Sequence, residues 1–349
     1  MDFIKLDEQL KEMVTTDTFA GTVIIAKNNE IIFQGAYGLA DREAVIPHDI
    51  NTKINLGSCN KSFTAIAICR LEQAGKLDFD DIADRYVPAI AKLSQGRITI
   101  RQLLTHRAGL GNYKGDAEFI KDMHDISTIA GILPYALRPL VAEPNEGFNY
   151  SNSGYIVLGA VIEAVSGMDY YEYISENIYK PSGMADSGCY PATDGTARAK
   201  GYTRATEFGP SKPGSEDLPL NENSKFLPLR GGSAGGGYST APDLIKYMRA
   251  LKNDVLIKDT FDSISPAPGT DYGFAAMRYQ NGAIGHTGGA HGINAYFGVH
   301  HESGYDVAVL ANVDMGAMRG AMAVNRFIGI PSMATPRQGE PGKQMMRKP

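Results

Sequence analysis

The sequence predicts an α+β protein: one antiparallel sheet built from both ends of the chain, flanked by helices, with a helix-rich region inserted between its halves. Strand-like runs gather near the two ends, AGTVIIAK and EIIFQGAYG early, YGFAAMRYQ, INAYFGVHH and YDVAVLANV late. Between them lie helical runs separated by Gly-, Pro- and Asn-rich loops. Consecutive strands have connections short enough for antiparallel pairing. The expected division is a sheet region at 1–57 and 270–330, a mostly helical region at 58–269 and a flexible tail at 331–349.

Phe3, Ile4, Leu6, Leu10 and Met13 fall at helical spacing and predict a first helix with one apolar face. The first two strands are rich in β-branched and aromatic residues and meet at the turn signal Asn28-Asn29. A helix is expected to begin at or near Ser58, run to about Leu71 and stop before Gly75. ITIRQLLTH opens at Thr99, GYIVLGAVIEAVSG is an apolar helix, and APDLIKYMRAL carries Pro242 in its first turn, where proline is tolerated. A last helix is expected from Gly316 to Ile328, and no internal repeat is visible.

With 43% hydrophobic and 21% charged residues over 349 positions, the chain can bury a large core. A net charge of −5 and the lack of any Lys/Arg cluster interleaved with aromatics exclude nucleic acid as an expected partner. The longest apolar stretch, Tyr155 to Ile162, ends at Glu163, far short of the ~18 residues of a membrane span. MDFIKLDEQLKEM mixes acidic with apolar residues, unlike a secretory signal. Cys59, Cys69 and Cys189 cannot all pair and match no zinc spacing. The expected location is the cytoplasm, a trimmed leader being the alternative. Oligomeric state is left open.

GSCNKSFT, residues 57–64, sets two nucleophiles, Ser58 and Cys59, ahead of Lys61. On a helix, residues three apart share a face, so Lys61 would stand over Ser58. A serine hydroxyl needs a neighbouring base, and an amine made neutral by burial can serve. The i+3 and i+4 neighbours of Cys59 are Ser62 and Phe63, neither a base. The spacing chooses Ser58. A lone S-x-x-K is more often a helix cap beside a surface lysine, so further elements are needed. FNYSNSGY supplies Tyr150 and Asn152 before an apolar helix, a phenol for proton relay and an amide for a carbonyl. GHTGG, residues 285–289, supplies a glycine-rich strand that a ligand can approach closely. The plain alternatives are a helix cap at Asn152-Ser153 and a β-bulge at the glycines.

Ser58-Cys59-Asn60-Lys61, Tyr150-Ser151-Asn152 and His286-Thr287-Gly288 resemble, in order and spacing, the S-x-x-K, Y-x-N and H-x-G elements of the β-lactamase and penicillin-binding-protein superfamily. Y-x-N with H-x-G is similar to the branch of class C β-lactamases, D-alanyl-D-alanine carboxypeptidases, D-aminopeptidases and related serine esterases. ITIRQLLTHRAGL and GGSAGGGYSTAPDLIKYM extend the likeness over nearly the whole chain. The resemblance implies the β-lactamase/transpeptidase-like fold and an acyl-enzyme on Ser58, with Lys61 and Tyr150 sharing the proton work. It implies that Asn152 orients Lys61 and the substrate, that the Ser58 and Gly289 N–H groups form an oxyanion hole, and that His286, Thr287 and Gly288 line the site, with His286 supporting Tyr150. No metal or organic cofactor is implied. Class C β-lactamases have lysine where this chain has His286, which argues against efficient β-lactam hydrolysis.

The expected function is therefore a serine hydrolase acting on a small ester, amide or D-amino-acid substrate, first of all a carboxylesterase. Alternatives are a D-amino-acid peptidase or amidase, a D-alanyl-D-alanine carboxypeptidase, an acyltransferase, a weak β-lactamase and an inactive binding module. GGSAG, residues 231–235, fits G-x-S-x-G and would make Ser233 the nucleophile, but NSKFLPLR before it is a poor strand. His286, His291, His300 and His301 form no metal motif, and the glycines at 231–237 lack the ending of a phosphate loop. Residues near 110–140 and 205–230 are expected to frame the acyl pocket.

Overall fold

The computed structural model describes residues 2–209 and 218–331. The expected tail therefore lies outside the described residues except for Pro331. Six strands form the main sheet: β1 (Gly21–Lys27), β2 (Glu30–Tyr37), β3 (Met277–Arg278), β4 (Ile284–Ala290), β5 (Ile293–His300) and β6 (Tyr305–Ala311). Their order is β2-β1-β6-β5-β4-β3, every pair antiparallel. The two ends of the chain meet at β1 and β6, in register from Gly21 opposite Ala311 to Lys27 opposite Tyr305. Asn28 and Asn29, at φ +50° and +69°, close the first hairpin, because a two-residue turn that matches the strand twist needs positive φ at both positions.

The apolar run in β1 reads as continuous because both faces of the sheet are covered. Val23 and Ile25 pack with α1 (Phe3–Thr15) and a C-terminal helix, Gly316–Phe327, through Leu6, Leu10, Ala317, Ala321 and Val324. Ile24 and Ala26 face the other way, with Phe297 and Leu310, onto Phe63, Ile66 and Tyr247. This second core runs without a break into the helical region, so the sheet and helical regions share one interior rather than meeting at residue 57.

The helical region contains α2 (Asn60–Gln73), α3 (Ile100–Leu104), α4 (Asn152–Ser166) and α5 (Ala241–Lys252). Local signals set their ends. Thr99 and Gln102 form a reciprocal capping box on α3, Thr240 caps α5, and Gly75 and Gly167, at φ +68° and +72°, follow α2 and α4. YGFAAMRYQ departs from expectation, since only Met277 and Arg278 are strand. The chain doubles back first, with the Gly273 N–H donating to Ala276 O at 2.8 Å and Ala275 at φ +46°. Among the described residues no helix is long and apolar enough to cross a membrane, and Cys59, Cys69 and Cys189 are buried and unpaired.

Candidate active site

A short pairing of Ile54–Asn55 with Tyr238–Ser239 delivers the chain to the start of α2, where Gly57–Cys59 makes a 3₁₀ turn. Gly57 sits at φ +50°, a conformation that favours glycine, and its N–H donates to Asn55 Oδ1 at 2.9 Å. From Ile54 to Cys69 every residue is buried except Ser58. Ser58 therefore reaches the solvent side while Cys59 points inward, its Sγ 3.5 Å from His286 O and its thiol pushed up by burial. α2 is buried nearly all round, and two of its polar side chains tie the 229–237 loop to it. Thr64 Oγ1 donates to Ser233 O at 2.8 Å and Asn60 Nδ2 to Gly232 O at 3.1 Å.

Lys61 is fully buried, with Nζ 2.6 Å from Asn152 Oδ1, 2.5 Å from Ala234 O and 3.2 Å from Ser58 Oγ. Neither close acceptor is charged. Burial first, and then the nearby charge of Lys114, hold the amine well below its usual range. A neutral amine has two N–H bonds and one lone pair. In that form Asn152 and Ala234 would take the two N–H bonds and leave the lone pair for the Ser58 hydroxyl, 3.2 Å away.

Tyr150 hydrogen-bonds Ser58, and its ring centroid lies 4.9 Å from Lys61 Nζ. Burial raises its phenol well above the ordinary value, so the hydroxyl keeps its proton at neutral pH. The loop that carries it is held from both sides. Ser151, rather than Asn152 or Ser153, caps α4 by accepting from the Gly154 N–H at 2.9 Å, and its own Oγ donates to Gly111 O at 2.7 Å. This frees Asn152, the first helical residue, to bind Lys61 and to donate through Nδ2 to Asn112 Oδ1 at 3.0 Å. His106, at φ +56°, packs against the Tyr150 ring with centroids 4.3 Å apart and accepts the Ser151 N–H at Nδ1, 3.0 Å away.

β4 closes the other side. A β-carbon on Gly57 would lie 2.8 Å from Gly289 N, and one on Gly288 would lie 2.9 Å from Ser58 N and 1.9 Å from Leu56 O. Glycine at positions 57 and 288 lets the strand lie this close to the Gly57–Cys59 turn, which sets the Ser58 and Gly289 amides beside one another. Thr287, Gly288 and Gly289 line a cleft of about 1930 Å³ together with Ser58, Tyr150 and Asn152. Apolar residues of the 112–132 and 227–229 segments, among them Phe119, Met123, Ile132 and Leu229, complete its wall.

The profile of the beta-lactamase family matches residues 6–327. The chain belongs to the beta-lactamase family. It is 32% identical to penicillin-binding protein 4* of Bacillus subtilis over 76% of its own length, and the matched part spans 57% of that relative. It is 27% identical to esterase EstB of Burkholderia gladioli, over 92% of this chain and 93% of the esterase. Among solved structures it is similar to a D-amino acid amidase from Ochrobactrum anthropi, with a TM-score of 0.78 and 26% identity over 93% and 98% of the two chains.

Within this beta-lactamase fold the structure brings Ser58, Lys61, Tyr150, Asn152, Thr287, Gly288 and Gly289 together and leaves His286 apart. Strand alternation turns Thr287 to the cleft and His286 inward, fully buried, so the expectation that His286 lines the site is corrected. Its Nε2 lies 3.1 Å from Tyr272 Oη, which lies 3.1 Å from His106 Nε2. His106 accepts at Nδ1, so its Nε2–H donates to Tyr272, and Tyr272 donates to His286, whose Nδ1–H meets Thr287 O at 2.5 Å. Support for Tyr150 thus arrives through Tyr272 and His106, two residues the sequence did not disclose. Asn112 and Lys114 were foreshadowed only by the expectation that the loop near 110–140 frames the pocket. Ser233 is fully buried against α4, where a β-carbon on Gly159 would lie 2.4 Å from its Oγ, and it does not meet the cleft. His291 lies against Phe226, away from His286.

Proposed function

We propose that the protein is a serine hydrolase that acylates Ser58 and hydrolyses small esters or amides, acting first of all as a carboxylesterase. The observation that carries this reading is the buried Lys61 amine, 3.2 Å from Ser58 Oγ, whose two nearer partners are uncharged acceptors. Ser58 Oγ attacks the substrate carbonyl, its proton passes to Lys61 Nζ, and the carbonyl oxygen takes up negative charge between the Ser58 and Gly289 N–H groups. Preorganised donors of this kind lower a barrier by about 3 kcal/mol. The leaving group departs with a proton relayed through Tyr150, giving the acyl-enzyme. Water then attacks the ester carbonyl, gives its proton back along the same path, and Ser58 is restored.

One finding favours an ester over a free D-amino-acid amide. Lys114, whose amine burial holds below its usual range, sits on the cleft wall without an acidic partner among the described residues and within electrostatic reach of Lys61, a setting that disfavours an α-ammonium group. His286 is buried in place of the lysine that class C enzymes carry on this strand, which argues against β-lactams.

A fluorophosphonate or a 4-nitrophenyl ester, followed by peptide mass mapping, tests the reading. The adduct is expected on Ser58. An adduct on Cys59 or Ser233 would remove Ser58 from the mechanism, and hydrolysis of no ester or amide with Ser58 unlabelled would move the protein to the binding-module class.

A further inference from the structure

Four cationic side chains line the described part of the cleft: Lys114, Arg198, Lys200 and Arg230. Three of them are engaged. Arg198 pairs with Asp194 at 3.1 Å and reaches Pro191 O at 2.8 Å. Lys200 lies between Asp41, at 2.9 Å, and Glu43, at 3.4 Å. Arg230 donates to Cys189 O at 2.7 Å and stacks over the Tyr171 ring. The Lys114 amine alone has no ion-pair or hydrogen-bond partner among the described residues.

The described acids of the cleft are occupied as well. Glu222 accepts from the Ser224 N–H and hydroxyl, and Asp314 accepts from Thr203 Oγ1 and from the Arg204 and Gly292 N–H groups. Lys114 is nevertheless partly buried, which costs a cation part of its hydration. Its backbone is tied to the hydrogen-bond network that holds Lys61. Its backbone N–H donates to Asn112 Oδ1 at 3.3 Å, the same oxygen accepts Asn152 Nδ2 at 3.0 Å, and Asn152 Oδ1 holds Lys61 at 2.6 Å. A partly desolvated lysine amine without an acidic partner, lining the same cleft as Ser58 and held below its usual range until an anion meets it, in a space far roomier than a short ester requires, suits recognition of an anion.

We propose that Lys114 binds a carboxylate on the substrate, so that the preferred substrates are esters carrying a negative charge several bonds from the scissile carbonyl. This deepens the acyl-enzyme reading and rests on it for turnover, not for binding. Ion pairing with a partly desolvated group is stronger than on an open surface, and one charge-assisted contact corresponds to at least about tenfold in affinity.

The test compares three esters on the full chain: 4-nitrophenyl hexanoate, the mono-4-nitrophenyl ester of adipic acid, and 3-carboxy-4-nitrophenyl hexanoate. The second carries the carboxylate on the acyl chain and the third on the alcohol. The readout is the ratio of kcat/KM for each anionic ester to that for the neutral one. Lys114 also acts on Lys61, but the same base serves every ester, so that effect cancels in the ratio. The wild-type ratio is expected to exceed one for at least one anionic ester, to fall about tenfold or more in Lys114→Gln and to survive in Lys114→Arg. The ester that responds tells which side of the carbonyl Lys114 faces. Ratios indifferent to Lys114→Gln, in a variant that melts like the wild type, overturn the proposal while leaving Ser58 as nucleophile. Binding decides independently of turnover. Calorimetry on Ser58→Ala protein should find monomethyl adipate bound more tightly than dimethyl adipate, a difference that disappears in Ser58→Ala/Lys114→Gln. Equal binding of the two overturns the proposal even if no ester is hydrolysed.

Discussion

A lysine buried without an anion beside it changes its chemistry. Lys61 is surrounded by Asn152 Oδ1, Ala234 O, Ser58 Oγ and the rings of Tyr150 and Tyr155, with His106, His286 and Lys114 close enough to feel its charge or to act on it. Nothing there stabilises an ammonium ion as a carboxylate would, and the amine's hold on a proton is weakened accordingly. Tyr150 is the complementary case, a phenol kept protonated by burial and in contact with Ser58. Tyr150→Phe removes one hydroxyl without altering the ring packed on His106. Ester turnover should fall by two or more orders of magnitude while the thermal midpoint moves little. Activity near wild type would take Tyr150 out of the proton path. At this scale S-x-x-K and Y-x-N were legible, because spacing on a helix and the position of a loop before one are local properties. His106 and Tyr272 were not, because they reach the site from residues separated by 166 positions in sequence.

Among the elements, the decisive contact is the edge of β4 against the 3₁₀ turn before α2. A β-carbon at Gly288 would sit 1.9 Å from Leu56 O, so Gly288→Ala must push the strand off the turn. The expected result is a loss of about 1–3 kcal/mol in stability from overpacking, with a larger loss of kcat as the Ser58 and Gly289 amides separate. Chemical denaturation and steady-state kinetics on one preparation check both, and a variant with unchanged kcat would remove this strand edge from the oxyanion site. Sequence reading recognised the H-T-G strand but not which of its side chains faces the cleft. Strand alternation alone gives two choices, and the choice is made by Gly288 meeting Leu56 on one side. YGFAAMRYQ failed for a related reason. Its residues favour a strand, yet Tyr272 is drawn to His106 and His286, and the chain turns at Ala275 to place it.

For the whole molecule, burial of uncharged histidines predicts acid sensitivity. Burial pushes His48 and His300 down to about 4 and His286 down to about 3, while His106 is also lowered. Unfolded, each would titrate near 6.5. Between that value and the folded one the unfolded chain binds more protons, so the contribution is complete above about pH 6.5 and is lost as pH falls toward 4, at roughly 1 kcal/mol per pH unit for each histidine. Asp306 and Glu163, raised by burial, act in the opposite sense but are outnumbered. Thermal midpoints should therefore drop from pH 7.5 to pH 5, and a flat profile would show that these histidines are not held neutral.

The sequence by itself determined the α+β plan, the pairing of chain ends, the Thr99 cap that begins α3, and the placing of Lys61 over Ser58 rather than Cys59, since each follows from periodicity or from neighbours a few residues apart. Tertiary structure alone decided that the Lys61 amine is held well below its usual range, that His286 supports the site from behind, and that Lys114 has no partner in the described part of the cleft. Charge state depends on what surrounds a group in three dimensions, and those surroundings come from segments far apart in the chain.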